Sequence, residues 1–362
     1  MTFTSELFSL INDSLRNNHL DNWDQIRFGQ KPTDSFLNKV KYLAKDRLSR
    51  GGYFRLQYII NNAEAIDTFK YLYDLLELES DKKLLLQLLV YRILGHTKVK
   101  LPTNTAAYSE SIRLIESNYN TSDFIDTGFL DFRLYNLDLS FLNVPIKMYA
   151  NALGCYIDFV LKQYEYHNAD IHIEAKSGDV VIDAGGCYGD TALYFANKVG
   201  SNGAVHVFEF IPDNIKLLNR NVEQNPLLKE NIQLVDRPVW SITGKDVFYK
   251  ANGPGSFVSM EPFDGYNGKT TTLSIDDYVL VARLDKVDMI KMDIEGAENN
   301  ALTGAVETIR RFKPKLAIAL YHSVQDFESI PKFINGLNLG YKFYLLHATI
   351  HTEETMLFAI AK

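Results

Sequence analysis

The spacing of apolar residues changes near the middle of this chain. Over residues 1 to 170 they recur three and four apart, the period of a helix face. Ile66, Phe69, Tyr73 and Leu76 form one such stripe, which breaks at Glu79-Ser80-Asp81. Residues 82–94 form another, stopped by Gly95. The same reading predicts helices over residues 35–48 and 145–164, with Pro145 in the first turn, where a missing N–H is tolerated. Gly51-Gly52, Pro102 and the polar run over residues 118–123 read as connections.

From residue 178 short β-branched runs alternate with helical intervals. The runs are Val180-Val181-Ile182, Val205-His206-Val207-Phe208, Ile232-Gln233-Leu234-Val235, Met289-Ile290-Lys291-Met292 and Leu316-Ala317-Ile318-Ala319-Leu320. Helical spacing fills residues 191–199 and 213–224 between them, which predicts βαβ units and a parallel sheet covered on both faces. Residues 341–347 and 356–361 are two further strands with only a loop between them, an expected antiparallel pair. The predicted class is α/β: five parallel strands and a C-terminal antiparallel hairpin, preceded by a mainly helical region.

Composition narrows the function. The 362 residues carry 38 Lys and Arg against 45 Asp and Glu, a net charge of -7, which is a poor match to a phosphate backbone, so no nucleic-acid partner is expected. One local basic run, Lys39, Lys41, Lys45, Arg47, Arg50 and Arg55, reads as a solvated helix face or a contact for an anionic substrate. Two cysteines, Cys155 and Cys187, without a Cys/His cluster at zinc spacing, exclude a disulfide scaffold and a structural zinc site and fit a reducing cytoplasm. The start lacks the pattern of a secretory leader. The longest apolar stretch, over residues 84–94, includes Gln87 and Arg92 and is shorter than the ~20 residues that span a bilayer.

Candidate chemistry collects where strands end. The first strand runs into Asp183-Ala184-Gly185-Gly186-Cys187-Tyr188-Gly189-Asp190-Thr191, a glycine-rich turn before a helix start, which is either a nucleotide-type cofactor site or a tight structural turn. A dinucleotide fingerprint needs G-x-G-x-x-G. Counted from Gly185, the third and sixth positions are Cys187 and Asp190, and an acid at the helix start repels a pyrophosphate. D-x-G-x-x-x-G suits a ligand with no phosphate and with cationic groups, S-adenosylmethionine. Glu209, ending the second strand, is placed to accept ribose hydroxyls; Trp240, after the third, is either an adenine contact or a core residue. The fourth strand ends Asp293-Ile294-Glu295-Gly296-Ala297-Glu298, three acids that can supply a base, a metal site or helix-start capping, and the fifth brings His322 to the same edge. Asn252-Gly253-Pro254-Gly255-Ser256, in a long insertion, reads as an acceptor wall or a hairpin turn.

Together, the runs VVIDAGGCYGDTALYFANKVG, HVFEFIPDNIKLLNRNVEQNP, TTLSIDDYV, IKMDIEGAENNAL and PKLAIALYH resemble the FkbM family of S-adenosylmethionine-dependent methyltransferases over about residues 163–362. The resemblance implies a Rossmann-like methyltransferase domain at 163–362; the helical region at 1–162 lies outside the family pattern and is expected to shape or cover the acceptor site. It also implies methyl transfer to a hydroxyl, often of a sugar, a surface glycan or a natural product. Members usually carry D-x-G-A-N-x-G; Gly186 and Cys187 stand here for Ala and Asn. Cofactor contacts are expected at Asp183, Gly185, Gly186, Tyr188, Gly189, Thr191, Glu209, Phe210, Arg237 and Asp293. Asp293 and His322 are the catalytic candidates, with His322 as a metal-free base near its ordinary pKa of ~6.5. If the reaction is metal-dependent, Asp293 and Glu295 hold a divalent ion. An NAD(P)-dependent oxidoreductase and a non-catalytic glycan-binding subunit are the alternatives.

Overall fold

The computed structural model describes residues 2–19, 22–23, 63–128, 133–168 and 170–361. The helix expected over 35–48, the basic run from Lys39 to Arg55 and the Gly51-Gly52 connection lie outside the described residues.

Helices α1 (Phe3–Leu15), α2 (Ala63–Leu75), α3 (Glu79–Leu94) and α4 (Ala106–Ser117) open the chain. After α4 the fold departs from the helical expectation. Strands β1 (Asn120–Asp126), β2 (Arg133–Asp138) and β3 (Lys147–Ala150) form an antiparallel sheet in that order. The expected helix over 145–164 is therefore a strand, then a short helix α5 (Ala152–Cys155) that runs into a π-helical turn, Tyr156–Leu161. Ile146, Met148 and Ala150 alternate at period two, a signal that the helix-like spacing after them obscured. Asn151 caps α5, its Oδ1 accepting from Gly154 N at 2.8 Å. A hairpin of β4 (Tyr166–Asn168) and β5 (Ile171–Ile173) leads into the main sheet.

That sheet contains β6 (Val180–Ala184), β7 (Ala204–Phe208), β8 (Ile232–Val235), β12 (Met289–Met292), β13 (Lys315–Ala319), β14 (Tyr341–His347) and β15 (Thr355–Ala361), in the spatial order β14-β15-β13-β12-β6-β7-β8. Five strands run parallel and β15 inserts antiparallel beside β13, as expected of the terminal hairpin. Helices α6 (Asp190–Val199) and α7 (Pro212–Glu223) follow β6 and β7. The insertion between β8 and β12 is a three-stranded sheet of β9 (Asp246–Lys250), β10 (Phe257–Ser259) and β11 (Gly268–Thr271), then helix α8 (Ile275–Val281). Short helices α9 (Glu298–Thr303) and α10 (Val306–Phe312) precede β13, and α11 (Asp326–Gly336) follows it.

Alternation along the strands builds two cores. Ile182, Phe208, Ile290 and Leu316 share one core with α1, α2, α3 and α11, where Phe69 stacks on Phe327 at 4.3 Å between ring centroids. Val181, Val207, Met289 and Ala317 share the other with α6, β3 and the π-helical turn. Because both faces are covered, a polar residue inside a strand is out of place unless paired. Asp183 and Lys291 are such residues, opposite each other on β6 and β12. Among the described residues no helix is long and apolar enough to cross a membrane.

Candidate active site

Lys291 organises the carboxyl edge of the sheet. Its Nζ lies 3.0 Å from Asp183 Oδ1 and donates to Gly185 O at 2.6 Å, with 1% and 0% of the two charged side chains exposed. Burial alone would lower the lysine's pKa, but Asp183 and Asp293 outweigh it and hold it above the usual value, so Lys291 stays charged. The other oxygen of Asp183 accepts from Thr191 Oγ1 at 2.6 Å. Asp183 and Thr191, both expected to meet the cofactor, clamp the glycine turn between β6 and α6, and of the two only Thr191 also borders the space beside it.

The glycines are likewise placed by the protein. Gly185 has φ +91°, and a Cβ there would lie 2.0 Å from the Asp293 carbonyl oxygen. A Cβ on Gly186 would meet Val207 at 2.2 Å, and one on Gly189 would meet Leu218 at 3.0 Å. Close approach of the turn to the end of β12, to β7 and to α7 explains the three in turn. Cys187, between them, holds φ +39°, and burial keeps its thiol well above the usual pKa.

Two connected spaces flank this turn. A crevice is walled by Phe208, Glu209, Phe210, Arg237, Pro238 and Val239 from the ends of β7 and β8, with Gly253, Pro254 and Ser256 opposite. Trp240 does not line it. The β9–β10 connection is therefore both a hairpin turn and a wall. Glu209, 6% exposed, accepts from Phe210 N at 2.6 Å and Ile211 N at 2.8 Å through Oε1, and from Asn214 Nδ2 at 3.2 Å through Oε2. It binds the start of α7 and also takes a backbone hydrogen bond from Cys187, so it ties the glycine turn to α7. Burial raises its pKa against these bonds.

The second space is a chamber of about 610 Å³. Gly185, Cys187, Pro254, Asp293 and Glu295 line both spaces, so the chamber continues the crevice. Leu134, Asn151, Leu153 and Asp158 bring the β2–α5 region to its wall, and Tyr188 and Thr191 line it from the turn. Six carboxyl groups face it, from Asp158, Asp190, Asp293, Glu295, Glu353 and Glu354, against Lys291 and His322, and burial raises the pKa of Asp158, Asp190, Glu295 and Glu354, the last to about 8.

Asp293 sits at the centre of this wall. Tyr321 donates to its Oδ1 at 2.9 Å and Tyr164 to its Oδ2 at 3.5 Å. Burial, with Asp293 beside them, lifts both phenols well above their ordinary pKa, so they remain donors. His322 Nε2 lies 3.4 Å from Asp293 Oδ1 and 3.6 Å from Glu295 Oε2, and Nδ1 lies 3.0 Å from Glu298 Oε1. Burial would lower this imidazole, but Glu298, Asp293 and Glu295 push it up to about 10. In the ion-free chain it carries a proton through the neutral range, which corrects the expectation of a base titrating near 6.5. Glu295, in the left-handed region at φ +56°, is pushed up to about 7 by burial.

The structure therefore joins Gly185, Tyr188, Thr191, Glu209, Phe210, Arg237, Asp293, Glu295 and His322 around one continuous space, and leaves Asp183, Gly186 and Gly189 behind it. Sequence reasoning missed Lys291, Tyr164, Tyr321 and Asp158. A charged residue inside an otherwise apolar strand was the signal for Lys291; nothing local marked Asp158 or Tyr164.

Residues 183–343 match the Methyltransferase FkbM domain, as the resemblance in the sequence had it. Among solved structures, methyltransferase FkbM from Methylobacillus flagellatus KT is 17% identical with a TM-score of 0.52, over 83% of this chain and 60% of that one. The chain thus spans under two thirds of that relative's length, and the likeness shows a shared fold. Aeropyrum pernix fibrillarin with natively bound S-adenosyl-L-methionine aligns at 16% identity over 51% of this chain and 67% of that one, TM-score 0.34. A putative methyltransferase from Streptococcus mutans in complex with SAH aligns at 15% over 52% and 90%, TM-score 0.33. No curated protein matches the chain significantly. The domain similarity is to the Methyltransferase FkbM domain and the fold is shared with the Methylobacillus flagellatus protein.

Proposed function

We propose, from the FkbM methyltransferase similarity of residues 183–343, that this protein transfers the methyl group of S-adenosylmethionine to a hydroxyl oxygen of a sugar, surface glycan or natural product. The observation that carries the reading is the continuity of the crevice and the acid-lined chamber across Gly185, Cys187, Asp293 and Glu295. The crevice suits adenosine: Phe210, Pro238 and Val239 offer apolar faces, Arg237 borders them, and Glu209 brings a carboxylate to its wall for a ribose hydroxyl. The chamber suits the charged end, because its excess of carboxyl groups, several of them held toward the protonated form by burial, is relieved by a ligand with sulfonium and ammonium groups. The same excess disfavours a phosphorylated acceptor.

When bound, S-adenosylmethionine supplies a methyl carbon on a positively charged sulfur, and that carbon passes to the acceptor oxygen as its bond to sulfur breaks. The chain's residues do the rest. Asp293, fixed by the Tyr321 phenol, accepts the acceptor hydroxyl's proton. Charged His322 and Lys291 steady the surrounding carboxylates. Asn151, Leu153 and Tyr188 hold the acceptor against the turn, so that much of the rate comes from positioning.

Tritiated S-adenosylmethionine and a panel of neutral sugars and hydroxylated natural products test the reading. Label is expected on oxygen, with turnover falling ~10²–10⁴-fold in Asp293→Asn, the range for a lost acid–base group. Label on nitrogen or carbon would exclude hydroxyl transfer, and a protein that binds the cofactor yet labels nothing on any acceptor would point to a non-catalytic subunit.

A further inference from the structure

The proposed reaction leaves Glu298 unused, and the way this residue is buried is unusual. It is fully enclosed at the start of α9, accepts Ile294 N through Oε1 at 2.9 Å, and has no hydrogen-bond partner at Oε2. A lone carboxylate oxygen out of water is costly unless a cation meets it. Its neighbour His322, with 8% of the side chain exposed, is in the same condition: Nδ1 is 3.0 Å from Glu298 and Nε2 is 3.4 Å from Asp293, yet neither ring nitrogen makes an aligned hydrogen bond. Asp326 Oδ2 nearby is also unpartnered. One donor atom each from Asp293, Glu298 and His322 fall within 4.8 Å of one another.

We propose that Asp293, Glu298 and His322 form a binding site for a divalent cation of the magnesium or manganese class at the inner wall of the chamber. Donors set ~2.0–2.2 Å from one ion lie roughly 3–4 Å apart, and with one ring nitrogen of His322 counted, the three donor atoms already lie within 4.8 Å of one another. The ligands come from fixed places: Asp293 directly follows β12, His322 follows β13, the strand paired with it, and Glu298 opens α9. Two carboxylates with one imidazole leave positions for water or acceptor oxygens, and Asp293, His322 and Glu295 all face the chamber. His322 binds as the neutral imidazole, its proton leaving to solvent.

The other candidate cluster among the described residues, Glu165, His167 and Glu174, is closed by a lysine. Lys198 Nζ lies 2.7 Å from Glu165 and 2.9 Å from Glu174. That contrast separates a network closed by a lysine from one whose nearest cation is His322 itself, a group that can give up its proton to a metal ion.

The site's location rests on this structure alone; its part in the reaction rests on the methyltransferase reading, so ion and cofactor are measured separately. Chelator-treated full-length protein is titrated with Mn²⁺, free ion being followed by electron paramagnetic resonance, while S-adenosylhomocysteine binding is measured by calorimetry on the same samples. A single tight ion is expected. Glu298→Gln and His322→Gln should each weaken it by more than the ~10–100-fold that outer-sphere partners cost, with an unchanged melting profile, whereas Glu174→Gln should leave it as in the parent. No Mn²⁺ binding by protein that binds S-adenosylhomocysteine would overturn the proposal and leave the methyltransferase reading intact. So would binding indifferent to both ligand variants. Mn²⁺ binding without S-adenosylhomocysteine binding would sustain the metal site and remove the cofactor assignment.

Discussion

The residue on which the edge of the sheet depends is Lys291. It joins Asp183, the Gly185 carbonyl and the Tyr164 ring, whose centroid is 5.4 Å from its Nζ. Lys291→Met should lower stability by ~3–5 kcal/mol, because Asp183 is left charged and enclosed, while adding Asp183→Asn should recover much of the loss. Urea unfolding of the two single variants and the double measures this; a loss in the double variant equal to the sum of the two single losses would show that the pair is not the coupled unit. Gly185→Ala tests the turn from the other side. The added carbon meets the Asp293 carbonyl and the backbone opposes φ +91°, so S-adenosylhomocysteine binding and stability should fall together. Loss of binding alone in calorimetry and melting would mean that the glycine faces the ligand instead.

Among the elements, the docking of α3 on β14 is the most closely specified. Asp81, 4% exposed, accepts from Leu345 N at 2.9 Å and from Tyr166 OH at 2.8 Å through Oδ2, with the phenol also 2.9 Å from Oδ1. Asp81→Leu strands both donors, and at ~1–3 kcal/mol for each unsatisfied group the chemical denaturation midpoint should drop sharply. A neutral outcome would show that water replaces the carboxylate. The end of β14 carries a pH-sensitive group, His347, which burial and the Arg92 charge hold down to about 3. Above its unfolded pKa of ~6.5 the ring is neutral in both states. As pH falls from there toward 3 the unfolded chain takes a proton that the folded chain refuses, so stability should fall by up to ~1.4 kcal/mol per pH unit from this group. His347→Gln should flatten that part of the unfolding profile between pH 6.5 and 4; an unchanged slope would assign the acid sensitivity elsewhere.

All seven strands of the main sheet could be read from the sequence, because burial on both faces demands short β-branched runs between turns. The β1–β2–β3 sheet could not. Its strands carry Asn, Asp and Arg at exposed positions, and β3 completes its edge with side chains from afar: Asn221 accepts Tyr149 N at 2.7 Å and Asn225 accepts Lys147 N at 2.9 Å. No local pattern encodes a partner 72 residues away. In the site, strand ends exposed Glu209, Asp293 and His322 to a reader of sequence. The ion-pair role of Asp183 and the charged state of His322 depend on neighbours that only the fold brings together.

For the whole molecule, the helices before residue 95 are part of the core. Phe69, Leu72, Leu85 and Leu89 pack in the same cluster as Ile182, Ile290 and Leu316. A chain starting near residue 163 should therefore aggregate or lose cooperative melting, and the full-length protein should unfold in one transition by calorimetry. A soluble, cooperatively melting fragment would make the helical region a separable cover. The chamber shows the same integration, with Leu134, Leu153 and Asp158 facing Lys291 and Asp293 across it.

The central claim is that the crevice and chamber at the carboxyl edge hold S-adenosylmethionine. Calorimetric titration of the full-length protein with S-adenosylhomocysteine, and in parallel with NADH, tests it most directly. The account predicts saturable binding of S-adenosylhomocysteine to a single site, weakened in Glu209→Ala by ~1.5–3 kcal/mol as for a hydrogen bond to a charged group, and no heat with NADH. Binding of NADH, or folded protein that takes up neither ligand, would contradict it.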